Sequence, residues 1–233
     1  FSHGWFFRPP VVDPPRMLMS MLDEIKAHPL TEDINVDMDD GGFVSMEDML
    51  KHAHELQCDT LINCTGLGSK KLCNDDAMIG GRGILLHYDR NCQRKNFDGS
   101  NGELTHDVAI LMESGRWGTS VTPENPAYII PRGDVLVVGG AYHEGCTKRT
   151  LSDLERKRLK DNAELFGIDT EKADPLHEWA GFRPCRQPTV RLEIDKSLSS
   201  TSGLQVVHSY GHGGSGWTTY VGIAKDTMNL LRK

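Results

Sequence analysis

A glycine-rich turn near the end of the sequence has the residue types that bind a polar or anionic group through main chain. Residues 211–216 read Gly-His-Gly-Gly-Ser-Gly, between a strand-like run and an apolar, helix-like run. Glycine lets main chain approach a ligand closely because it has no Cβ, and the first amides of a helix attract polar or anionic groups. A turn needed only for chain reversal is an equal alternative. We interpret His212, alone within this turn, as structural.

Three arginines, Arg183, Arg186 and Arg191, lie in a short segment that prolines interrupt. The guanidinium fork is well shaped to hold a carboxylate through two parallel hydrogen bonds. The spacing alone gives equal weight to a surface loop in which the arginines pair with acids such as Glu193. Tyrosines on the strand-like runs become candidate ligands only where they converge with an arginine.

Residues 60–68, Thr-Leu-Ile-Asn-Cys-Thr-Gly-Leu-Gly, have the pattern of a buried strand that enters a tight turn. A strand followed by Gly-x-Gly is how a dinucleotide-binding fingerprint begins, but the third glycine would fall at position 71, which is Lys71. The fingerprint therefore fails here. A plain strand-to-loop turn is the alternative interpretation.

Composition narrows the classes of partner. The formal net charge of -7 argues against nucleic acid, because phosphate binding needs an excess of lysine and arginine. No apolar run approaches the length that crosses a bilayer, so we expect no membrane partner. The six cysteines show neither Cys-x-x-Cys pairs nor clusters with histidine; they are interpreted as reduced thiols, and no metal site is predicted.

Hydrophobic periodicity and turn residues predict the following elements. Helices are expected over residues 14–28, 45–57 and 150–167, the last with Leu151, Leu154, Leu159 and Leu165 on its inner side. Short strands, suggesting a largely antiparallel sheet, are expected over residues 83–88, 107–112, 127–131, 134–142 and 204–209, with a further candidate at 34–38. The serine-rich residues 196–203 predict a surface loop.

Read together and in this order, these stretches resemble the D-amino-acid oxidase family of flavoenzymes. The matching segments are GWF at 4–6, INCTG at 62–66, GRG at 81–83, AYIIPR at 127–132, VVGGAY at 137–142, GFRPCR at 181–186 with VRLE at 190–193, and YGHGGSGWT at 210–218. The likeness covers essentially the whole chain but only the later two-thirds of the family's usual length. The strand and G-x-G-x-x-G turn that such proteins carry at their start have no counterpart here.

The resemblance implies a mixed α/β fold, in which a Rossmann-like FAD-binding portion, incomplete at its N-terminus, is interleaved with an antiparallel-sheet substrate domain. Residues 1–30 and 80–190 are expected to form the substrate-binding part. Residues 31–79 and 191–233 are expected to form the FAD-binding part. We also expect the chain to be a fragment or a truncated product that by itself binds FAD weakly or not at all.

The resemblance also implies site residues. FAD is the implied cofactor, and its expected contacts are Thr65, Gly213, Gly214, Ser215, Gly216, Trp217 and Thr218. Arg183 is implied to hold the substrate carboxylate, with a hydroxyl bond from Tyr128 and Tyr142 as a weaker third member. The main chain of Gly214 is implied to face the substrate amine as well.

The implied reaction is the oxidative deamination of a D-amino acid by O₂, which gives a 2-oxo acid, ammonia and H₂O₂. Two alternatives stay open: a non-catalytic remnant without the cofactor, and a related amine or sarcosine-type flavin oxidase, against which GFRPCR and AYIIPR argue. We expect an intracellular location, peroxisomal or cytoplasmic, since the family is commonly peroxisomal but the chain ends LLRK without a Ser-Lys-Leu signal. A homodimer and the identity of the D-amino acid are left open.

Overall fold

The structure is a computed structural model, and it describes residues 10–32, 42–92, 108–112, 121–122 and 125–232. Helices and strands alternate irregularly along this part of the chain. The α-helices are α1 (Pro14–Ala27), α2 (Met46–Glu55), α3 (Ser69–Leu72), α4 (Asp153–Leu165), α5 (Lys196–Ser202) and α6 (Gly216–Leu231). The strands are β1 (Thr60–Asn63), β2 (Met78–Asp89), β3 (Ile110–Met112), β4 (Ala127–Arg132), β5 (Val135–Gly139), β6 (His143–Glu144), β7 (His177–Arg186), β8 (Arg191–Ile194) and β9 (Gln205–Tyr210).

Local signals begin the helices that the sequence predicts. Prolines occupy the first turn of α1, where a missing N–H costs nothing. The hydroxyl of Ser45 accepts a hydrogen bond from the Asp48 amide at the start of α2, with a donor-to-acceptor distance of 3.1 Å. Ser152 and Glu155 form a full capping box at the start of α4. These three helices are confirmed, whereas the strand predicted over 34–38 lies outside the described residues.

The chain divides into two compact units. Unit 1 comprises Phe1–Thr31 and Arg82–Phe182, and unit 2 comprises Glu32–Gly81 and Arg183–Lys233. Both β2 and β7 contain a boundary between the units. The assignment of one part of the chain to substrate and the other to flavin stays a prediction.

Unit 1 is built on an antiparallel sheet, as the sequence predicts. Its strand order is β3-β4-β5-β2-β6, and β7 pairs with β2. One face of the sheet and the inner side of α4 enclose a core of aliphatic and aromatic side chains that includes Ile84, Leu86, Ile129, Leu136, Leu159 and Phe166. The mixed α/β character expected for the chain is therefore present.

Unit 2 contains a smaller sheet with the order β1-β9-β8. β1 runs parallel to β9, with Asn63 opposite His208, and β8 runs antiparallel to β9. The expectation that residues 204–209 belong to the antiparallel sheet was therefore wrong. The short run alone could not tell the two sheets apart, because an apolar strand fits either kind of partner.

The serine-rich segment 196–203 is also a correction, because most of it forms α5 instead of a loop. The Asp195 carboxylate caps the helix by accepting a hydrogen bond from the Leu198 amide at 2.9 Å. The hydroxyls of Ser199 and Ser202 donate to carbonyl oxygens four residues earlier, each at 2.6 Å. These back-bonds satisfy side chains that commonly compete with helical structure.

The inner side of α4 differs from the prediction at one residue. Leu151 and Leu159 are buried and Leu165 packs against the core, but Leu154 is 77% exposed. Leu154 precedes Leu159 by five positions, which places the two side chains about 140° apart around the helix. Ala163, one turn after Leu159, takes the buried position instead.

A buried ion pair joins α4 to β2 within unit 1. The Arg82 side chain is 1% exposed and donates to Glu155 Oε1 at 2.5 Å, while its remaining nitrogens donate to the carbonyl oxygens of Lys148 and Thr150. Burial alone favours the protonated form of Glu155. Hydrogen bonds from Arg82 and Ser152 outweigh that effect and lower the pKa of Glu155 to about 2.

None of the helices in the described ranges has the length and apolar character that crossing a bilayer requires. All six cysteines are free thiols. Within the same ranges, no group of three or more histidine, cysteine or acidic side chains is arranged to hold a metal ion.

We predict that Glu155→Gln removes the charge opposite Arg82 while a side chain able to complete the capping box remains. The pKa of Glu155 is lowered from 4.5 to about 2, so its carboxylate stabilises the folded state above about pH 4.5 and loses this effect as the pH falls toward 2. Near neutral pH the variant should lose roughly 3 kcal/mol of unfolding free energy. Urea unfolding at a series of pH values measures the difference, which should shrink in acid.

Glu178→Gln is the matched control for this substitution. Glu178 on β7 pairs with Arg156, which like Glu155 lies on α4, but both side chains of this pair are about 40% exposed. Exposed ion pairs contribute under about 1 kcal/mol to the unfolding free energy. A loss for Glu155→Gln that equals the control, or that stays constant down to acid pH, would contradict the role assigned to the buried pair.

Candidate functional site

Two turns of unit 2 lie at the same edge of its sheet. β1 and β9 are parallel, with Asn63 opposite His208, and the carboxyl ends of parallel strands meet at one edge. The chain leaves β1 into the turn at Thr65 and leaves β9 into the glycine-rich turn that begins at Gly211. The pairing therefore brings together two segments that the sequence analysis predicted separately.

Glycine is required at the beginning of the second turn. Gly211 has φ of +91°, and a Cβ there would lie 2.5 Å from the Cβ of Arg186. Both the backbone angle and the contact exclude a larger residue. Residue His212 then pairs with Cys185 of β7 in an isolated bridge, and Gly213–Ser215 form a turn of 3₁₀-helix that leads into α6.

The turn packs against the arginine-bearing end of β7. A Cβ on Gly213 would lie 3.2 Å from Sγ of Cys185, and a Cβ on Gly214 would lie 3.3 Å from Cδ of Arg183. The structure thus places the main chain of Gly214 directly beside the Arg183 side chain. These are two of the residues that the sequence analysis implied for substrate binding.

The amino end of α6 is open to a ligand. Ser215 at its N-cap makes no capping hydrogen bond through its side chain, and the first turn of the helix contains no acidic residue. A Cβ on Gly216 would meet no atom within 4 Å. Trp217 packs edge-on against Tyr220 at a centroid separation of 5.9 Å. Amide donors and the helix dipole here favour a polar or anionic group.

The imidazole of His212, which the sequence did not single out as functional, has an unusual environment. Its Nδ1 atom is buried and has no hydrogen-bond partner among the described residues. A buried polar atom without a partner costs free energy, so a group with a matching donor or acceptor would be favoured beside this turn.

The turn after β1 is fixed by side-chain hydrogen bonds. Oδ1 of Asn63 accepts from the amide and from the hydroxyl of Thr65, at 3.1 and 2.7 Å. The Thr65 hydroxyl also lies 2.7 Å from the hydroxyl of Ser69. Thr65, an expected flavin contact, is exposed, whereas Asn63 and Ser69 are fully buried.

Asn63 is linked in turn to a buried histidine. Its Nδ2 lies 3.2 Å from Nδ1 of His208, whose Nε2 lies 3.3 Å from Oδ2 of Asp195. Burial and the charge of Arg191 lower the pKa of His208 below its ordinary value, although Asp195 opposes them. Asn63 and His208 could not be predicted from the sequence as a pair, because their contact depends on the strand register.

The other two arginines make structural ion pairs. Arg186 donates to Asp75 at 2.8 Å, and Tyr210 donates to the same carboxylate oxygen at 2.8 Å. Burial favours the protonated form of Asp75, but these bonds and the charge of Arg186 outweigh it and lower the pKa.

Arg191 follows the interpretation that pairs arginines with acids. It donates to Glu193 at 2.7 Å, to Asp195 at 3.2 Å and to the Tyr210 hydroxyl at 2.9 Å. The segment is not a loop, however, because Arg183 and Arg186 lie on β7 and Arg191 lies on β8. Arg186 lies beside the beginning of the glycine-rich turn at Gly211, and Arg183 lies beside Gly214 within it.

The two predicted tyrosines belong to unit 1. Tyr128 on β4 stands opposite Gly139 on β5, and its ring lies over the main chain of Gly139 and Gly140, where a Cβ would fall 2.2 and 2.4 Å from ring atoms. Tyr142 is 38% exposed, with its hydroxyl 3.5 Å from Oε1 of Glu144. Their roles toward a substrate stay predictions.

Two curated proteins are similar to this chain in sequence. The chain is 30% identical to the D-amino acid oxidase of Dugesia ryukyuensis over 73% of its own length and 45% of that protein. It is 27% identical to D-aspartate oxidase 1 of Caenorhabditis elegans over 75% of its own length and 46% of that protein. The chain therefore spans about half the length of these curated relatives.

Solved structures agree at the level of the fold. Glycine oxidase from Bacillus cereus superimposes with a TM-score of 0.54 over 75% of this chain and 43% of that chain, at 15% sequence identity. The family model of the FAD dependent oxidoreductases, DAO, matches residues 1–230. That match spans nearly the whole sequence, so the chain belongs to the DAO family of FAD-dependent oxidoreductases.

Proposed function

We propose that the protein containing this chain catalyses the FAD-dependent oxidative deamination of D-amino acids to 2-oxo acids, ammonia and H₂O₂. The observation that carries the proposal is the contact between Gly214 and Arg183, which sets a side chain suited to a carboxylate beside a turn suited to a cofactor. The relatives named D-amino acid oxidase and D-aspartate oxidase support this substrate class.

FAD, the cofactor on which the family depends, fits the residues of unit 2. The uncapped amino end of α6, the open space at Gly216 and the buried, unpartnered Nδ1 of His212 all suit a polar, flat group beside this turn. In the proposal the cofactor is held by the main chain and side chains of Thr65, Gly213, Gly214, Ser215, Gly216, Trp217 and Thr218.

The substrate is held by its carboxylate in this proposal. Arg183 supplies the positive charge and the planar fork. The main chain of Gly214, where an added Cβ would lie 3.3 Å from Cδ of Arg183, faces the amine. Tyr128 adds a hydroxyl bond to the carboxylate, and Tyr142 is a further candidate. Separate contacts to the carboxylate and to the amine of one substrate fix the direction in which its α-carbon points.

The protein's residues bind and orient the substrate in this scheme, and none acts as a nucleophile. When bound, FAD would supply the redox chemistry, with hydride transfer from the substrate α-carbon and electron transfer to O₂, and water would hydrolyse the resulting imino acid to the 2-oxo acid and ammonia. Arg183 holds the carboxylate throughout, so its charge acts on binding and on alignment.

The full gene product decides between this function and the two alternatives. We expect bound oxidised flavin in its absorption spectrum and H₂O₂ release with D-alanine or D-aspartate but not with their L enantiomers. A folded protein without flavin would support the alternative that the protein is a non-catalytic remnant. Preference for sarcosine over D-amino acids would support the amine-oxidase alternative.

We predict that Arg183→Ala in the full gene product lowers kcat/KM for a neutral D-amino acid by the equivalent of roughly 2 to 5 kcal/mol, because a desolvated charged contact is lost. Steady-state H₂O₂ release measures it. Arg186→Ala and Arg191→Ala should act mainly on stability, since those side chains pair with Asp75, Glu193 and Asp195. Near-normal kinetics of Arg183→Ala would remove this residue from the carboxylate role.

We predict that Gly214→Ala raises KM about tenfold, because the added methyl group at 3.3 Å displaces Arg183 and small displacements of a positioning group cost rate. Gly222→Ala is the matched control. Its added methyl group meets no atom within 4 Å, and alanine favours the helix. Equal kinetics for the two variants would show that Arg183 tolerates the displacement or does not bind substrate.

We predict that Tyr128→Phe raises KM by about threefold to tenfold, the equivalent of one lost hydrogen bond, while the ring keeps its position over Gly139 and Gly140. Flavin content, measured from the absorption spectrum, should not change. Loss of all bound flavin in this variant would show a structural role for Tyr128 and would contradict its assignment to the substrate.

A further inference from the structure

The side-chain amide of Asn63 is fully buried, and both its oxygen and its nitrogen make hydrogen bonds. Its oxygen accepts from the amide and hydroxyl of Thr65 at 3.1 and 2.7 Å. Its nitrogen faces Nδ1 of His208 at 3.2 Å and Sγ of Cys73 at 3.2 Å. A rotated amide would set its NH₂ group against the N–H of Thr65, donor against donor, so the orientation is fixed by its neighbours.

The contact with His208 requires one particular form of the imidazole. Since Asn63 Nδ2 can only donate, Nδ1 of His208 must carry a lone pair, and the ring proton then sits on Nε2. Nε2 lies 3.3 Å from Oδ2 of Asp195. That carboxylate is itself held by the amide of Leu198 and by Arg191. A continuous chain of hydrogen bonds thus runs from Asp195 through His208 and Asn63 to Thr65.

We propose that Asn63 and neutral His208 are positioning residues that hold Thr65 in the orientation in which it contacts the flavin. The inference rests on the proposed function for the contact itself. The fixing of the turn is a property of unit 2 alone, since all four members of the chain lie in Glu32–Gly81 or Arg183–Lys233. His208 acts through Asn63, and Asn63 acts through Thr65.

The charged groups around His208 influence its pKa and therefore the pH at which the hydrogen bonds from Asp195 to Thr65 can form. Arg191 on β8 disfavours the imidazolium, whereas Glu193 on β8 and Asp195 at the cap of α5 favour it, and the Tyr210 ring on β9 packs edge-on at 5.6 Å. Asn63 is the group facing it from β1. Burial is the largest influence, and with Arg191 it keeps the pKa of His208 below 6.5.

Protonation of His208 breaks the arrangement. A second ring proton at Nδ1 would oppose the NH₂ group of Asn63, so the neutral form is the one compatible with the folded turn. The unfolded chain protonates His208 near pH 6.5 and the folded chain only at lower pH. The folded turn therefore loses stability as the pH falls below about 6.5.

The first test is FAD affinity in the full gene product, measured by flavin fluorescence across pH 5 to 8. We expect His208→Leu to raise the Kd for FAD about tenfold, the cost of a lost buried hydrogen bond. His208→Asn, whose side-chain oxygen can accept from Asn63 without titrating, should stay within about threefold of wild type and flatten the acid side of the profile.

Two further variants separate positioning from general destabilisation. Val207→Ala is the matched control, because Val207 is fully buried on the same strand and takes no part in the hydrogen-bond chain; it should lower stability and leave the Kd unchanged. Thr65→Val removes the hydroxyl that contacts Asn63. The double variant Thr65→Val with His208→Leu should lose less affinity than the sum of the two single losses, since both act on one contact.

The second test needs no cofactor. Amide hydrogen exchange at Thr65 should be about tenfold faster in His208→Leu than in wild type and near the wild-type rate in His208→Asn. Val207→Ala should not accelerate exchange at Thr65 more than at other amides of unit 2. Equal exchange in wild type and His208→Leu would overturn the proposal. So would equal losses of FAD affinity in His208→Leu and Val207→Ala, or additive losses in the double variant.

The outcomes also separate this inference from the proposed function. A wild-type protein that binds no FAD would contradict the proposed function. Amide hydrogen exchange at Thr65 would then show by itself whether His208 fixes the turn. A wild-type protein that binds FAD, together with an unchanged Kd in Thr65→Val, leaves the function standing and overturns the positioning of a flavin contact.

Discussion

The parallel pairing of β1 with β9 is the interaction on which the candidate site depends. It joins residues 60–63 to residues 205–208 across most of the chain and sets Asn63 opposite His208. A slip of one residue would turn every side chain of one strand to the other face. The contact of Asn63 with His208 would then be lost, and the turn at Thr65 would lose its partner. One strand register therefore fixes both the core of unit 2 and the edge where the two turns meet.

Each unit also contains a charge that burial alone would not tolerate. In unit 1, Arg82 is nearly inaccessible and is matched by Glu155 and two carbonyl oxygens. In unit 2, Asp75 is matched by Arg186 and Tyr210. Such groups are costly when one partner is missing. They consequently favour one arrangement of strands and helices over others of similar hydrophobic content.

The elements that depend on local signals were predictable from sequence. Ser45 and Ser152 cap helices through residues three positions later, and such pairs are visible as a pattern. α5 was missed because its serines satisfy themselves by bonding back to the helix, which composition does not reveal. Leu154 was wrongly placed on the inner side of α4 because it lies five positions before the buried Leu159, about 140° away around the helix.

The site was predictable only in part, for a related reason. The glycine-rich turn and Arg183 can be recognised in the sequence as residue types suited to binding. Their contact, however, depends on β7 lying beside the turn. Asn63 and His208 are separated by 145 positions, and no local pattern links them. The resemblance to a family supplied roles for the site residues that spacing could not supply, and those roles stay predictions.

The ring of Tyr128 on the main chain of Gly139 and Gly140 limits how this part of the sequence can evolve. Any side chain at either glycine would collide with the ring, at 2.2 to 2.4 Å from its atoms. Replacement of the glycines becomes tolerable only after the aromatic ring has been lost, whereas loss of the ring first would leave a cavity over bare backbone. The three positions are therefore expected to change together or not at all, so a homologue with a larger residue in place of Gly139 should also lack the tyrosine.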